Sequence, residues 1–136
     1  MIEYIFVYGT LRRNSNHAMA KVLQTHADYI ADAIIQGQLY QVISYPALIE
    51  SENPNDKVCG ELYKIHHSSL LLPLLDDYEG CTENYAKPHE YTRKVLPVSL
   101  TTGEIINAWV YIYNWDTSCL QRISIYTSEV LKTSEV

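Results

Sequence analysis

Leu75-Asp76-Asp77-Tyr78-Glu79-Gly80 places three carboxylates within four positions, and the leucine-rich residues before it read as a helix that ends near the glycine. Like charges at that end repel one another and oppose the negative pole of the helix dipole. The stretch is therefore either a site that gains something from the crowding or a solvated acidic terminus. The second candidate is Phe6-Val7-Tyr8-Gly9-Thr10-Leu11-Arg12, where an apolar run from Ile2 to Tyr8 breaks at a glycine. Gly9 has no side chain and reaches backbone angles closed to other residues, so the amides of Thr10 and Leu11 can approach an anionic or carbonyl oxygen. The turn is a cradle of that kind or a plain strand-to-helix connection.

Other reactive residue types are dispersed. Cys59, Cys81 and Cys119 are odd in number and form no paired-cysteine motif. His17, His26, His66, His67 and His89 contain no i to i+4 ligand pair. Free thiols and no metal are expected. Cys81 adjoins the acidic stretch with no base beside it in sequence to activate it.

The chain has 136 residues, 47% hydrophobic and 19% charged, which fits one folded domain spanning 1–136. A net charge of -6, with ten Lys and Arg scattered along the chain, leaves no basic stripe and argues against a nucleic-acid partner. No apolar run approaches the roughly 20 residues that span a bilayer, and the amino terminus is unlike a secretory signal, so no membrane partner and a cytoplasmic location are expected. Twelve tyrosines stand against one phenylalanine. Each brings a hydroxyl that needs a partner when buried, which suits a polar-edged cavity better than a dry core.

These groups must be positioned by strands more than by helices. Ile2 to Tyr8 reads as a buried strand, and Ala18 to Ala27 as a short amphipathic helix. The pattern from Tyr29 to Ile43 reads as strands with a bulge or bend at Gly37. Tyr45-Pro46 should stop that ladder, leaving Ala47 to Glu50 as an edge strand. Ser51 to Lys57 is a polar loop, and Val58 to Ile65 a further strand. Ser68 and Ser69 offer an N-cap for a helix whose Pro73 belongs in the first turn. Cys81 to Glu90 is irregular; Tyr91 to Leu100 and Ile105 to Tyr113 form a hairpin; Leu120, Ile123, Val130 and Leu131 suggest a terminal helix. The predicted class is α+β, a mixed, largely antiparallel, barrel-like sheet flanked by two or three helices.

Taken in order, Val7-Tyr8-Gly9-Thr10-Leu11-Arg12, Tyr45-Pro46-Ala47-Leu48, Val58-Cys59-Gly60-Glu61-Leu62-Tyr63, Leu75-Asp76-Asp77-Tyr78-Glu79-Gly80, Tyr91-Thr92-Arg93 and Ala108-Trp109-Val110-Tyr111-Ile112-Tyr113 resemble the gamma-glutamylcyclotransferase-like (AIG2-like) family. The resemblance covers Ile2 to about Tyr113. It implies a small α/β fold around a twisted, barrel-like sheet, and release of 5-oxoproline from a small gamma-glutamyl substrate with no cofactor. Carried over by position, Tyr8, Gly9, Thr10 and Leu11 would bind the glutamyl group, and Glu79 would match the catalytic glutamate. Tyr91 matches the tyrosine of a Tyr-x-Arg that follows the glutamate, with Tyr85 a competing register, and Tyr113 stands at a strand end that can reach the same cavity.

The implied chemistry suits these residue types. A gamma-glutamyl amide holds its nucleophile, the α-amine, at five-ring distance from its own γ-carbonyl, so folding the substrate and moving protons suffices. One carboxylate can take the ammonium proton and return it to the departing amine. A non-catalytic binding module on the same scaffold, or a hydrolase in which Glu79 activates water, is the alternative.

Overall fold

The structure, a computed structural model, describes residues 2–8, 18–42 and 45–123. Their elements run β1 (Tyr4–Val7), α1 (Ala18–His26), β2 (Ala27–Val42), β3 (Tyr45–Glu50), β4 (Lys57–Ile65), α2 (Ser68–Tyr78), β5 (Tyr91–Leu100), β6 (Ile105–Tyr113) and β7 (Gln121–Ile123). All strands join one sheet in which β1 runs parallel to β6 and every other pair is antiparallel. The neighbours β2, β4, β1, β6 and β5 return to β2 through Ala33–Leu100 and Ile34–Ser99, so five strands close into a barrel. β3 and β7 extend the sheet along the second half of β2. The mixed, largely antiparallel barrel with helices beside it is the expected class, with two helices among the described residues.

β1 is apolar at successive positions because both of its faces are covered. Phe6 packs inside the barrel with Ala33, Leu62, Val98 and Val110, whereas Ile5 and Val7 pack with Leu23 of α1 and Leu71 and Leu75 of α2. Those three leucines are fully buried, each stabilising the fold by about 1.5–3 kcal/mol relative to exposure. The barrel is tight enough that a Cβ at Gly60 would lie 2.4 Å from the Val7 carbonyl oxygen and 2.5 Å from the Phe6 ring. Glycine is required there by packing, at a position whose dihedral angles are not unusual for a strand.

Several local expectations need correction. The register shift in β2 falls between Tyr29 and Ala31, leaving Ile30 exposed, and not at Gly37. Gly37 instead lets the Ile49 carbonyl approach, 2.7 Å from where its Cβ would be, at the point where β2 changes partner from β4 to β3. Pro46 lies inside β3, opposite Gln41; an outer strand with only one neighbour tolerates the missing N–H. α2 is capped by His67 with no side-chain cap bond, so Ser68 and Ser69 are helical rather than capping. Pro73 sits in the second turn, on the exposed face, where it removes the N–H that would reach the Ser69 carbonyl. Burial of the leucine face outweighs that loss. Leu120 and Ile123 flank or belong to strand β7, paired with Leu39 to Gln41, and not to a helix; Val130 and Leu131 lie outside the described residues.

Candidate active site

The carboxyl end of α2 is built by the Asp-Asp-Tyr-Glu-Gly stretch itself. Glu79 is the C-cap, Gly80 follows at φ +72°, the Gly80 N–H bonds the Asp77 carbonyl at 3.2 Å and the Cys81 N–H bonds the Asp76 carbonyl at 2.9 Å. This pair of bonds is a Schellman termination, and the left-handed residue it needs is the glycine the sequence supplies. The chain thus turns away at Gly80, while Glu79 stays at the helix end.

Asp76 ties that end to the β5–β6 hairpin. Its two carboxylate oxygens accept Arg93 Nε at 2.8 Å and Arg93 Nη2 at 3.0 Å, and Oδ1 also accepts the Tyr111 hydroxyl at 2.7 Å. The Arg93 guanidinium in turn stacks 4.2 Å from the centre of the Trp109 ring. A bidentate, partly buried pair of this kind fixes direction as well as distance. One acid of the cluster is therefore an anchor. Asp77 is exposed.

Glu79, one turn beyond Leu75, is partly buried, and its carboxyl is pushed up from its ordinary 4.5 to about 8. Burial is the main cause, followed by repulsion from the carboxylates of Glu90 and Asp76. Tyrosines surround it. Charge on Glu79 is felt by the hydroxyls of Tyr8 at the end of β1, Tyr45 in β3, Tyr91 at the start of β5 and Tyr111 in β6, and all four are held far above the usual phenol value, first by burial. Tyr8 Oη donates to the Tyr111 carbonyl at 2.7 Å, Tyr91 Oη to the Pro46 carbonyl at 2.9 Å, and Tyr45 Oη to Glu90 Oε2. The Tyr91 ring meets Tyr113 edge-on at 5.5 Å and Tyr45 at 6.3 Å. The hydroxyls are thus spent on fixed partners, near an acid that is mostly protonated at neutral pH.

Of the residues singled out from sequence, the structure gathers Glu79, Tyr8 and Tyr91, with Tyr113 packed against Tyr91. Gly9, Thr10 and Leu11 lie outside the described residues, immediately after Tyr8. The competing tyrosine, Tyr85, lies with its ring beside Gly80, is 45% exposed, and lines an open surface cavity of about 430 Å³ with Met19, Val22, Leu74, Asp77 and Tyr78. The Cys81 thiol is pushed up to about 12, by burial and then by Asp76 and Glu79, so it stays protonated at neutral pH. Local sequence does not single out Tyr45, Glu90 or Tyr111. Tyr45 reads locally only as the residue before a proline, and Glu90 only as the end of a polar loop; long-range pairing puts both beside Tyr91.

A closed mixed sheet with an acid of raised proton affinity at a helix end defines a small acid–base site on a barrel scaffold. The chain belongs to the family described as gamma-glutamyl cyclotransferase, AIG2-like, whose sequence pattern it matches over residues 5–129. It is 32% identical to the gamma-glutamylaminecyclotransferase of Rattus norvegicus over 113 residues, covering 76% of this chain and 68% of that one. The Mus musculus gamma-glutamylaminecyclotransferase is 33% identical over 114 residues, covering 76% and 68%. In fold it is similar to the crystal structure of an AIG2-like protein from Mus musculus, with a TM-score of 0.71 at 26% identity over 94% of this chain and 90% of that one. No helix among the described residues is long and apolar enough to cross a membrane.

Proposed function

We propose that this protein releases 5-oxoproline from a gamma-glutamyl amine or gamma-glutamyl amino acid, with Glu79 as the single general acid and base. In this reading the substrate's α-ammonium enters beside Glu79 and lowers the proton affinity of its carboxyl. The resulting carboxylate takes one ammonium proton. The freed amine nitrogen attacks the γ-carbonyl carbon, closing a five-membered ring whose nitrogen now carries one proton too many; as the bond from that carbon to the departing nitrogen breaks, Glu79 returns its proton to the leaving amine and then takes the extra proton from the ring nitrogen. Proton count and charge balance without a protein nucleophile. The loop from Tyr8 to Leu11 would bind the glutamyl group, the amides of Thr10 and Leu11 holding its carboxylate or the developing oxyanion, and the rings of Tyr91 and Tyr113 would confine the substrate to its folded shape.

The observation that carries the reading is the position of Glu79, an acid pushed up to about 8 among tyrosine rings at an anchored helix end. The names of the rat and mouse relatives favour an amine as leaving group. Incubation with a panel of gamma-glutamyl amines and gamma-glutamyl amino acids, followed by mass spectrometry, tests it. 5-Oxoproline is the expected product. Free glutamate would instead assign Glu79 to activating water, and binding without turnover of any compound would leave a binding module.

A further inference from the structure

Tyr111 is hydrogen-bonded to both halves of the proposed site. Its neighbours in β6, Val110 and Ile112, pack inside the barrel, and its own ring packs outside with Leu71 and Leu75 of α2. Its main-chain carbonyl accepts the hydroxyl of Tyr8, a residue of the inner cluster, at 2.7 Å, and its own hydroxyl donates to Asp76 Oδ1 at 2.7 Å. Tyr8 immediately precedes Gly9; Asp76 stands three residues before Glu79, and its carbonyl accepts the Cys81 N–H at 2.9 Å that ends the helix. The hairpin register sets Tyr111 directly opposite Arg93, so the pair presents three donors to one carboxylate. Arg93 supplies the charge, and Tyr111 supplies a donor on a stiff ring that is 3% exposed. Burial holds that phenol far above its usual value, so it remains a donor. We propose that Tyr111 is a positioning residue for the reaction: its hydroxyl holds the helix end that carries Glu79 and its carbonyl holds Tyr8, so that one buried residue sets the distance between the proton carrier and the loop that takes the glutamyl group.

The inference deepens the cyclotransferase reading and rests on it for the reaction. Ring closure needs the amine beside Glu79 and within reach of the γ-carbonyl carbon at the same moment, and a misplacement of about 1 Å in such an arrangement can cost about a hundredfold in rate. Glu79 is the C-cap of α2, so its place is only as fixed as the last turn of that helix. Two donors from Arg93 and a third from the neighbouring strand leave the Asp76 carboxylate less freedom than the guanidinium alone would. Removing the Tyr111 hydroxyl therefore releases the end that carries Glu79, while the carbonyl still holds Tyr8.

Y111F makes that change, keeping the ring, the main-chain carbonyl and the Arg93–Asp76 pair. The kcat for 5-oxoproline release from one gamma-glutamyl amine should fall about tenfold, with KM within about twofold of the wild type. Y8F releases the opposite end and should raise KM about fivefold with kcat nearly held. A wild-type kcat in Y111F, or the same pattern in both variants, overturns the proposal. Amide hydrogen exchange without substrate gives a second check: Gly80 and Cys81 should exchange about tenfold faster in Y111F while β4 keeps its wild-type rates, and unchanged exchange at the helix end overturns it. If Y111F does not fold, D76E replaces it, since the longer arm keeps the charge for Arg93 and displaces the carboxylate from Tyr111; kcat should again fall with KM held, and a wild-type kcat would refute the assignment. A wild type that releases no 5-oxoproline ends the cyclotransferase reading and the reaction Tyr111 would serve, whereas an active wild type with an unimpaired Y111F ends this inference alone.

Discussion

Replacing Glu79 by Gln should stabilise the protein at neutral pH while abolishing the chemistry proposed for it. In the unfolded chain this carboxyl ionises near its ordinary 4.5, and in the fold near 8. Folding therefore favours the protonated form, and the stability present below pH 4.5 is progressively lost as pH rises toward 8. Linkage puts the loss at about 3 kcal/mol at pH 7 for a shift of this size. Glu79 is partly exposed, and relaxation of water around the carboxylate reduces the expected figure to about 2 kcal/mol. Glutamine has nearly the same shape and no charge to bury, so E79Q escapes this loss. For a chain of this length each kcal/mol moves the melting temperature by about 3–5 °C, so E79Q should melt roughly 6–10 °C higher at pH 7. Calorimetric melts of both proteins from pH 4 to 9 test this. The two curves should coincide near pH 4, separate through the range between 4.5 and 8, and stay apart above it. A difference that does not vary with pH, or a less stable E79Q at pH 7, would refute the claim that Glu79 is held protonated by its surroundings.

The anchor and the barrel give further predictions. Asp76→Asn leaves the Arg93 guanidinium partly buried without its charge partner, and should cost about 2 kcal/mol in a urea titration. It should also lower turnover with intact secondary structure, since it frees the helix end that carries Glu79; normal stability and turnover would remove Asp76 from that role. Gly60→Ala drives a methyl into the Val7 carbonyl and Phe6 ring and should cost about 1–3 kcal/mol in the same assay, with little effect on the Glu79 titration. A neutral substitution there would show that β1 and β4 can move apart without penalty.

Much of the fold is legible where one local rule decides. The uninterrupted apolar run before Gly9 identifies a strand covered on both faces, and the alternation of Ala33, Ile35 and Leu39 identifies β2. Gly80 after a leucine-rich face identifies the end of α2 and, with it, the position of Glu79. Legibility fails where a pairing partner outweighs the local signal. Pro46 reads as a break, yet β3 is held from one side by β2 and passes through it. Gly37 reads as a bend, yet its role is to admit the Ile49 carbonyl. Ile123 reads as helical, yet it pairs with Leu39. The site divides in the same way. Glu79, Tyr8 and Tyr91 belong to short motifs that are visible in the chain, whereas Tyr45 and Glu90, 45 positions apart, become partners only when β2 and β5 close the barrel.

The most direct test of the account is the rate of 5-oxoproline formation from one gamma-glutamyl amine, measured for the wild type and for E79Q at pH 8 with both proteins shown to be folded. Loss of the proton carrier should lower the rate by roughly two to four orders of magnitude. An E79Q protein that releases 5-oxoproline as fast as the wild type would contradict it.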